Sequence, residues 1–251
     1  MQNDFQKGEH MIPKVIHYCW FGGKSQPKIV KKCIASWEKM CPDYEIKRWD
    51  ETNFDVNMHP FMKDAYGKKL WAFVSDYARL KIIYDNGGIY LDTDVELIRN
   101  LDELLMNDCF LSVESEPRGM IATGLGFGAS PKNEAVKEML EVYDNVSLQT
   151  DNTKEIVCPI YNTKPFLSSG YQCGANYIQR IKGTTILPAE YFAPIDPITS
   201  EMHLTKNTYG IHWGTASWAT GMDQLKVKFR MFIGLDITRK TKALLKKLSL
   251  R

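Results

Sequence analysis

No part of the chain approaches the roughly 20 consecutive apolar residues needed to cross a bilayer, and the mean hydropathy is −0.32. A membrane-spanning protein is therefore not expected. The first ten residues, Met1 to His10, lack the apolar core of a secretory signal, so a cytoplasmic protein is expected. Among six cysteines (Cys19, Cys33, Cys41, Cys109, Cys158 and Cys173) there is no C-x-x-C pair, and they are too sparse for a disulfide scaffold. Reduced thiols fit best, most of them in the core. The chain also lacks internal repeats, low-complexity tracts and any Pro/Gly/Ser-rich linker, which favours one elaborated domain. Charge of one sign is scarce as well, with a formal net charge of +2. That total is unevenly spread: residues 225–251 hold nine Lys/Arg and a single acid, Asp236, so the tail is about +8 and the remainder about −6. An acidic main body argues against a nucleic-acid partner.

The chain has 251 residues, of which 44% are hydrophobic, 25% charged and 12% aromatic, a composition that supports a full globular core. Val15 to Phe21 (VIHYCWF) is a β-branched and aromatic run stopped by Gly22-Gly23, and it reads as a first buried strand. Pro27 then precedes an apolar stripe at Ile29, Val30, Cys33, Ile34 and Trp37, which predicts a helix ending before Pro42. Tyr44 to Trp49 alternates as a second strand, completing a β-α-β unit. Trp71 to Tyr84 is strongly periodic, and Asn86-Gly87-Gly88 supplies a helix stop. Further strands are predicted over 109–113, 125–129, 185–187 and 209–213, with a helix over 134–143. The pattern is that of an α/β protein, in which ligands gather at the carboxyl ends of strands.

At one such end the apolar Ile89-Tyr90-Leu91 runs straight into Asp92-Thr93-Asp94. Two carboxylates two residues apart in a turn suit a hard divalent cation, Mn²⁺ or Mg²⁺, together with phosphate oxygens. Taken alone, a D-x-D reads first as a solvated turn with a helix cap. Its context changes that reading. Asp76 and Arg79 share a helix face at i, i+3, where they can pair or grip sugar hydroxyls, and helix, Gly-Gly, strand and D-x-D follow in order through SDYARLKIIYDNGGIYL (75–91).

This block resembles the sugar-binding, D-x-D-containing region of glycosyltransferase family 32, and it is similar to the catalytic domains of the clostridial glucosylating toxins. Two more stretches extend the resemblance: IPKVIHYCWFGG (12–23), similar to the families' opening strand, and His212-Trp213-Gly214-Thr215-Ala216-Ser217-Trp218, similar to a C-terminal H-x-x-x-x-S-W element. It covers about residues 12–220 and implies a GT-A fold, a mixed, mainly parallel sheet flanked by helices. Residues 221–251 would then form a separate basic tail. The resemblance implies that Asp92, Asp94 and His212 serve the metal and that Asp76 and Arg79 hold the sugar. Trp20 would stack on the base, an interaction worth roughly 1–3 kcal/mol, and Tyr90, Asp92, Ser217 and Trp218 would complete the nucleotide-sugar contacts. It further implies a retaining transfer from a nucleotide-sugar. The bacterial and toxin relatives favour a UDP-sugar, whereas yeast-type members use GDP-mannose.

Residues 121–128 (IATGLGFG) can form either a sugar-facing wall, where glycine permits close approach, or a core strand. The tail alternates Lys/Arg with Leu, Phe and Ile, which suits an anionic membrane surface or a soluble helix with a charged face. On the first reading the expected acceptor is a glycan or lipid-linked oligosaccharide of surface polysaccharide synthesis, at the cytoplasmic face. Two other classes compete. IYLDTDV (89–95) also fits a haloacid-dehalogenase-like phosphatase, and six Trp with twelve Tyr could serve a non-catalytic carbohydrate-binding module. Neither explains Asp76 and Arg79 beside the two acids.

Overall fold

The computed structural model describes residues 12–115, 118–148 and 158–214. Strand β1 (Val15–Cys19) leads through helix α1 (Lys28–Met40) to β2 (Glu45–Trp49), and the two strands pair in parallel. Helices α2 (Pro60–Gly67) and α3 (Trp71–Asn86) return the chain to β3 (Gly88–Tyr90), parallel to β1 on its other side. After the short β4 (Val95–Leu97) come β5 (Cys109–Ser112), β6 (Phe127–Ala129), α4 (Glu134–Val142), α5 (Cys158–Leu167), β7 (Gln179–Ile181), β8 (Thr184–Leu187) and β9 (Gly210–His212). Seven strands form one sheet in the order β2-β1-β3-β6-β5-β8-β7, with β6 and β7 opposed to the other five. This is the mixed, mainly parallel sheet that the resemblance implies.

Alternation along the central strands builds a core on each face. Ile16 and Tyr18 of β1, Ile89 of β3 and Phe110 of β5 join α1's Cys33 and Trp37 on one side. Cys19, Tyr90, Cys109 and Leu111 join α2, α3 and α4 on the other. Five of the six cysteines are buried and all are free, as expected of core thiols. His17 ties β1 to the end of α3: its Nδ1 accepts from the Trp49 indole at 3.0 Å and its Nε2 lies 3.0 Å from the Gly87 carbonyl. Burial lowers its pKa to about 4, so the ring is neutral and its Nε2–H donates to that carbonyl. Gly88 has φ +96°, and a Cβ there would lie 2.8 Å from both the His17 ring and the Val15 carbonyl. Only glycine lets the helix end and β3 begin this close to β1.

The strand order reverses about β1, since β2 is laid on one side and β3 on the other. Such a reversal opens a crevice at the carboxyl ends of β1 and β3. A two-stranded antiparallel ribbon, β4 with β9, lies beyond β3 and sets Val95 opposite His212. Among the described residues no helix is long and apolar enough to cross a membrane. Ser217, Trp218, the expected boundary at 220/221 and the basic tail lie outside the described residues.

Candidate active site

The acidic motif begins where β3 ends. The Asp92 N–H donates to the Gly124 carbonyl at 3.0 Å, and the Val95 N–H to the Asp92 carbonyl at 3.0 Å, closing a turn that leads into β4. The ribbon then delivers the third group. With Val95 opposite His212, and the Trp213 N–H donating to the Asp94 carbonyl at 3.0 Å, the His212 Nε2 comes within 3.3 Å of Asp94 Oδ1. One ligand atom from each of Asp92, Asp94 and His212 lies within 4.8 Å of the others. Two carboxylates and an imidazole converging in this way fit Mn²⁺ or Mg²⁺. Glu96 supports the ribbon from behind, accepting the Trp213 indole N–H at 2.9 Å and Lys32 at 2.8 Å.

Behind the acids stands Arg79. Its Nη2 lies 2.9 Å from Asp76 Oδ1 and 3.4 Å from Asp92 Oδ1, its Nε donates to the Ser75 carbonyl at 3.1 Å, and its guanidinium sits over the Tyr90 ring at 5.1 Å. The Tyr90 hydroxyl donates to Asp92 at 3.2 Å. Asp76 and Arg79 are only 8% and 5% exposed. That burial distinguishes the pair from a surface salt bridge, which would contribute little. One guanidinium serves two carboxylates, and neither acid is fully compensated. Burial pushes Asp76 up to about 6, against the opposing pull of Arg79 and with the help of Asp92. Asp92 is raised for the same reason, with Asp94 adding repulsion. For His212 burial acts to lower the pKa, but Asp94 and Asp92 outweigh it and the net shift is upward.

The shift at Asp76 has a measurable consequence. A carboxyl whose folded pKa exceeds its unfolded value of 3.8 binds more protons in the folded state between about pH 4 and 6, so its contribution to stability increases as pH falls through that window. The stability of the protein relative to Asp76→Asn is expected to rise from pH 7 to pH 4.5 in chelator-containing buffer. Urea midpoints that move in parallel for both proteins would show that Asp76 titrates normally.

Gly124 is the residue whose role the motif alone does not disclose. A Cβ at this position would sit 2.1 Å from Asp92 Oδ2 and 2.7 Å from Arg79 Nη1. The 121–128 segment thus divides: Gly124 abuts the site, while Phe127 and Ala129 of β6 belong to the core. Next to Asp76, α5 contributes Cys158 and Asn162, whose amide donates to Thr123 Oγ1 at 2.8 Å and to Cys158 Sγ at 2.9 Å. No sequence pattern marks that buried polar cluster.

The structure brings Asp76, Arg79, Tyr90, Asp92, Asp94 and His212 together. Trp20 lies just past the end of β1, its N–H donating to the Trp49 carbonyl at 2.8 Å and its indole N–H to the Lys24 carbonyl at 2.6 Å.

Residues 27–111 match the model of the glycosyltransferase sugar-binding region containing the DXD motif. The match takes in Asp76, Arg79, Tyr90, Asp92 and Asp94 and stops well before His212. An uncharacterized glycosyltransferase of Acanthamoeba polyphaga mimivirus is 35% identical over 101 residues, 38% of this chain and 40% of that protein. The inositol phosphoceramide mannosyltransferase 3 of Schizosaccharomyces pombe is 34% identical over 127 residues, 46% of this chain and 33% of that protein. The chain thus spans only about a third to two fifths of the length of these curated relatives. Among solved structures the PaToxG glycosyltransferase superposes with a TM-score of 0.50 at 16% identity, over 62% of this chain and 69% of that one, a likeness of fold. The fold is of the GT-A type. Residues 27–111 are similar to the DXD sugar-binding region to which the sequence resemblance points.

Proposed function

We propose that the protein transfers a sugar, in a divalent-metal-dependent reaction that retains anomeric configuration, from a nucleotide-sugar to a glycan or lipid-linked oligosaccharide acceptor. The observation that carries this reading is the convergence of Asp92, Asp94 and His212 on one point beside the buried Asp76–Arg79 pair. Asp92, Asp94 and His212 would hold Mn²⁺ or Mg²⁺, which when bound offsets the charge growing on a departing diphosphate. Asp76 accepts sugar hydroxyls and Arg79 donates to them, both fixed by burial and by their mutual bond, so the sugar is oriented without further ordering of the protein. Arg79 also holds Asp92 in place. No side chain in this cluster is placed as a covalent nucleophile distinct from the metal and sugar ligands. Attack by the acceptor hydroxyl on the face the diphosphate leaves is the step we propose. A phosphatase needs no paired Asp76 and Arg79, and a carbohydrate-binding module needs no two clustered carboxylates beside that pair.

The test is release of nucleoside diphosphate from a panel of UDP- and GDP-sugars with Mn²⁺, with chelator, and with Asp94→Asn. Release from one donor that chelator and the variant both abolish is expected. Release of inorganic phosphate instead, or no metal-dependent binding of any nucleoside diphosphate, would overturn the reading. A place in surface polysaccharide synthesis, with the basic tail on the anionic cytoplasmic leaflet, is part of the same proposal. Faster transfer to a lipid-linked acceptor in anionic vesicles than to the free glycan would support it, and equal rates would count against it.

A further inference from the structure

A line of polar side chains runs from helix α5 through the core to the carboxyl of Asp76. Cys158 and Asn162 stand at i, i+4 and so share one face of α5. Asn162 is 0% exposed, a costly place for an amide. Its Nδ2 divides two hydrogens between Thr123 Oγ1 at 2.8 Å and Cys158 Sγ at 2.9 Å, while its Oδ1 has no hydrogen-bond partner among the described residues. A buried oxygen left without a donor is rare enough in folded proteins to call for a reason. The arrangement makes the Cys158 sulfur an acceptor and leaves its own hydrogen free to donate.

That hydrogen has a taker in Asp76, to which the Cys158 side chain is hydrogen-bonded and whose Oδ1 also receives Arg79 Nη2 at 2.9 Å. Burial pushes the Cys158 thiol up to about 12, so the sulfur keeps its proton and is the donor of the bond. Helix α5 is itself pinned to the segment that borders the site: Thr163 Oγ1 accepts the Ile121 N–H at 2.9 Å and donates to the Pro159 carbonyl at 2.6 Å. Three residues on, the Gly124 carbonyl accepts the Asp92 N–H. The other titratable groups about Asp76 are Arg79 on its own helix, Asp92 past β3, Cys19 on β1 and Tyr143 past α4. Burial keeps Cys19 and Tyr143 protonated, so neither changes charge in the range where a carboxyl titrates.

Resting on the reading of Asp76 as a carboxylate that grips the donor sugar, we propose that Asn162 and Cys158 are positioning residues for that grip: Asn162 orients the sulfur, and the thiol hydrogen holds the Asp76 carboxylate in the orientation that receives sugar hydroxyls. Arg79 does not fix Asp76 by itself, because its Nη2 is shared with Asp92 at 3.4 Å. A thiol is a weak donor, so its direction matters, and the Asn162 amide behind the sulfur supplies that direction. Neither residue needs to touch the sugar.

Two measurements on the whole protein test this with Cys158→Ala, Cys158→Ser and Asn162→Leu. The first needs neither metal nor ligand. In chelator-containing buffer, the urea midpoint of each protein relative to its own Asp76→Asn form follows the titration of Asp76. A folded carboxyl that has lost a donor takes up its proton at higher pH, so in Cys158→Ala the rise in relative stability on acidification is expected to begin about half to one pH unit earlier, the worth of one neutral hydrogen bond. Cys158→Ser, which keeps a donor, should restore the onset, and Asn162→Leu should move it as Cys158→Ala does. An unmoved onset in Cys158→Ala overturns the proposal and leaves the transferase reading intact. The second measurement separates sugar from nucleotide. For the UDP- or GDP-sugar that the donor panel selects, kcat/KM is expected to fall about fivefold to tenfold in Cys158→Ala, while the Mn²⁺-dependent affinity for the matching nucleoside diphosphate, which carries no sugar, stays the same. Equal losses in both would show a merely structural role and overturn the proposal. No binding of UDP or GDP to the unaltered protein overturns the transferase reading and this grip with it. Should Asn162→Leu fail to fold, Cys158→Ala and Cys158→Ser still decide.

Discussion

Gly124→Ala is expected to fold normally and to lose about two orders of magnitude or more in transfer rate, the penalty of displacing a positioned catalytic group by about 1 Å. The new methyl carbon would stand 2.1 Å from Asp92 Oδ2 and 2.7 Å from Arg79 Nη1. Both atoms are side-chain ends, so the backbone need not move and the core is untouched. What must move is the carboxylate. Asp92 would swing away from Asp94 and His212, or Arg79 would leave the gap between Asp76 and Asp92, and either shift dismantles the cluster. The comparison with Gly128 sharpens the point, because a Cβ there would meet the Gly88 backbone carbonyl at 2.9 Å and strain the β3–β6 pairing itself. Circular dichroism and a urea midpoint within about 1 kcal/mol of the unaltered protein, together with weakened Mn²⁺-dependent nucleotide binding, are the expected results for Gly124→Ala. Undiminished activity would mean that Asp92 does not need its present position.

The largest effect on stability is expected at Trp37. It is fully buried between α1 and the sheet, meets Tyr18 edge-on at 5.7 Å, and donates its indole N–H to the Val95 carbonyl at 2.7 Å. Trp37→Ala should cost about 3–5 kcal/mol, a large part of the roughly 5–15 kcal/mol that holds a domain folded. Trp37→Phe separates packing from hydrogen bonding: it keeps most of the volume but leaves a buried carbonyl unpaired, at a cost of about 1–3 kcal/mol. Val95 follows Asp94 directly and pairs with His212, so the phenylalanine variant should also weaken metal binding. Urea denaturation checks the first expectation and calorimetric titration with Mn²⁺ the second. A loss below about 1 kcal/mol for Trp37→Ala would show that α1 is not anchored through this residue.

Features carried by local pattern were legible in the sequence. The β-branched run ending at Gly22-Gly23, the stripe through Trp37, and the α3–Gly-Gly–β3–D-x-D succession all lie where periodicity and turn chemistry place them, with ends shifted by one or two residues. The i, i+3 spacing of Asp76 and Arg79 was enough to foresee their pairing. It did not reveal that Arg79 is shared with Asp92, because that contact depends on how closely α3 packs against β3. Helix α2 leaves little trace in the sequence because its eight residues give too short a period, and α5 because Pro165 inside it reads as a break. Strands β4 (VEL) and β7 (QRI) are three residues each and, unlike β3 and β6, carry charged residues that break the apolar run. Gly124 abuts the site through tertiary approach, which no spacing in one sequence encodes. His212 is marked in the sequence only by the resemblance, and nothing in the local pattern marks its partner strand β4.

The ribbon of β4 and β9 sets the order in which the site can come into being. Glu96 and Trp213 are bonded across 117 residues of chain, and during synthesis the two acids of the motif emerge from the ribosome long before the histidine that stands beside them. Until β9 arrives, β4 is an unpaired edge and the acids repel one another without His212. Distant pairings of this kind close late in folding. The DXD region is consequently not a detachable cassette: transplanted or truncated after β8, it would keep its acids and its Asp76–Arg79 pair and still lack a finished centre.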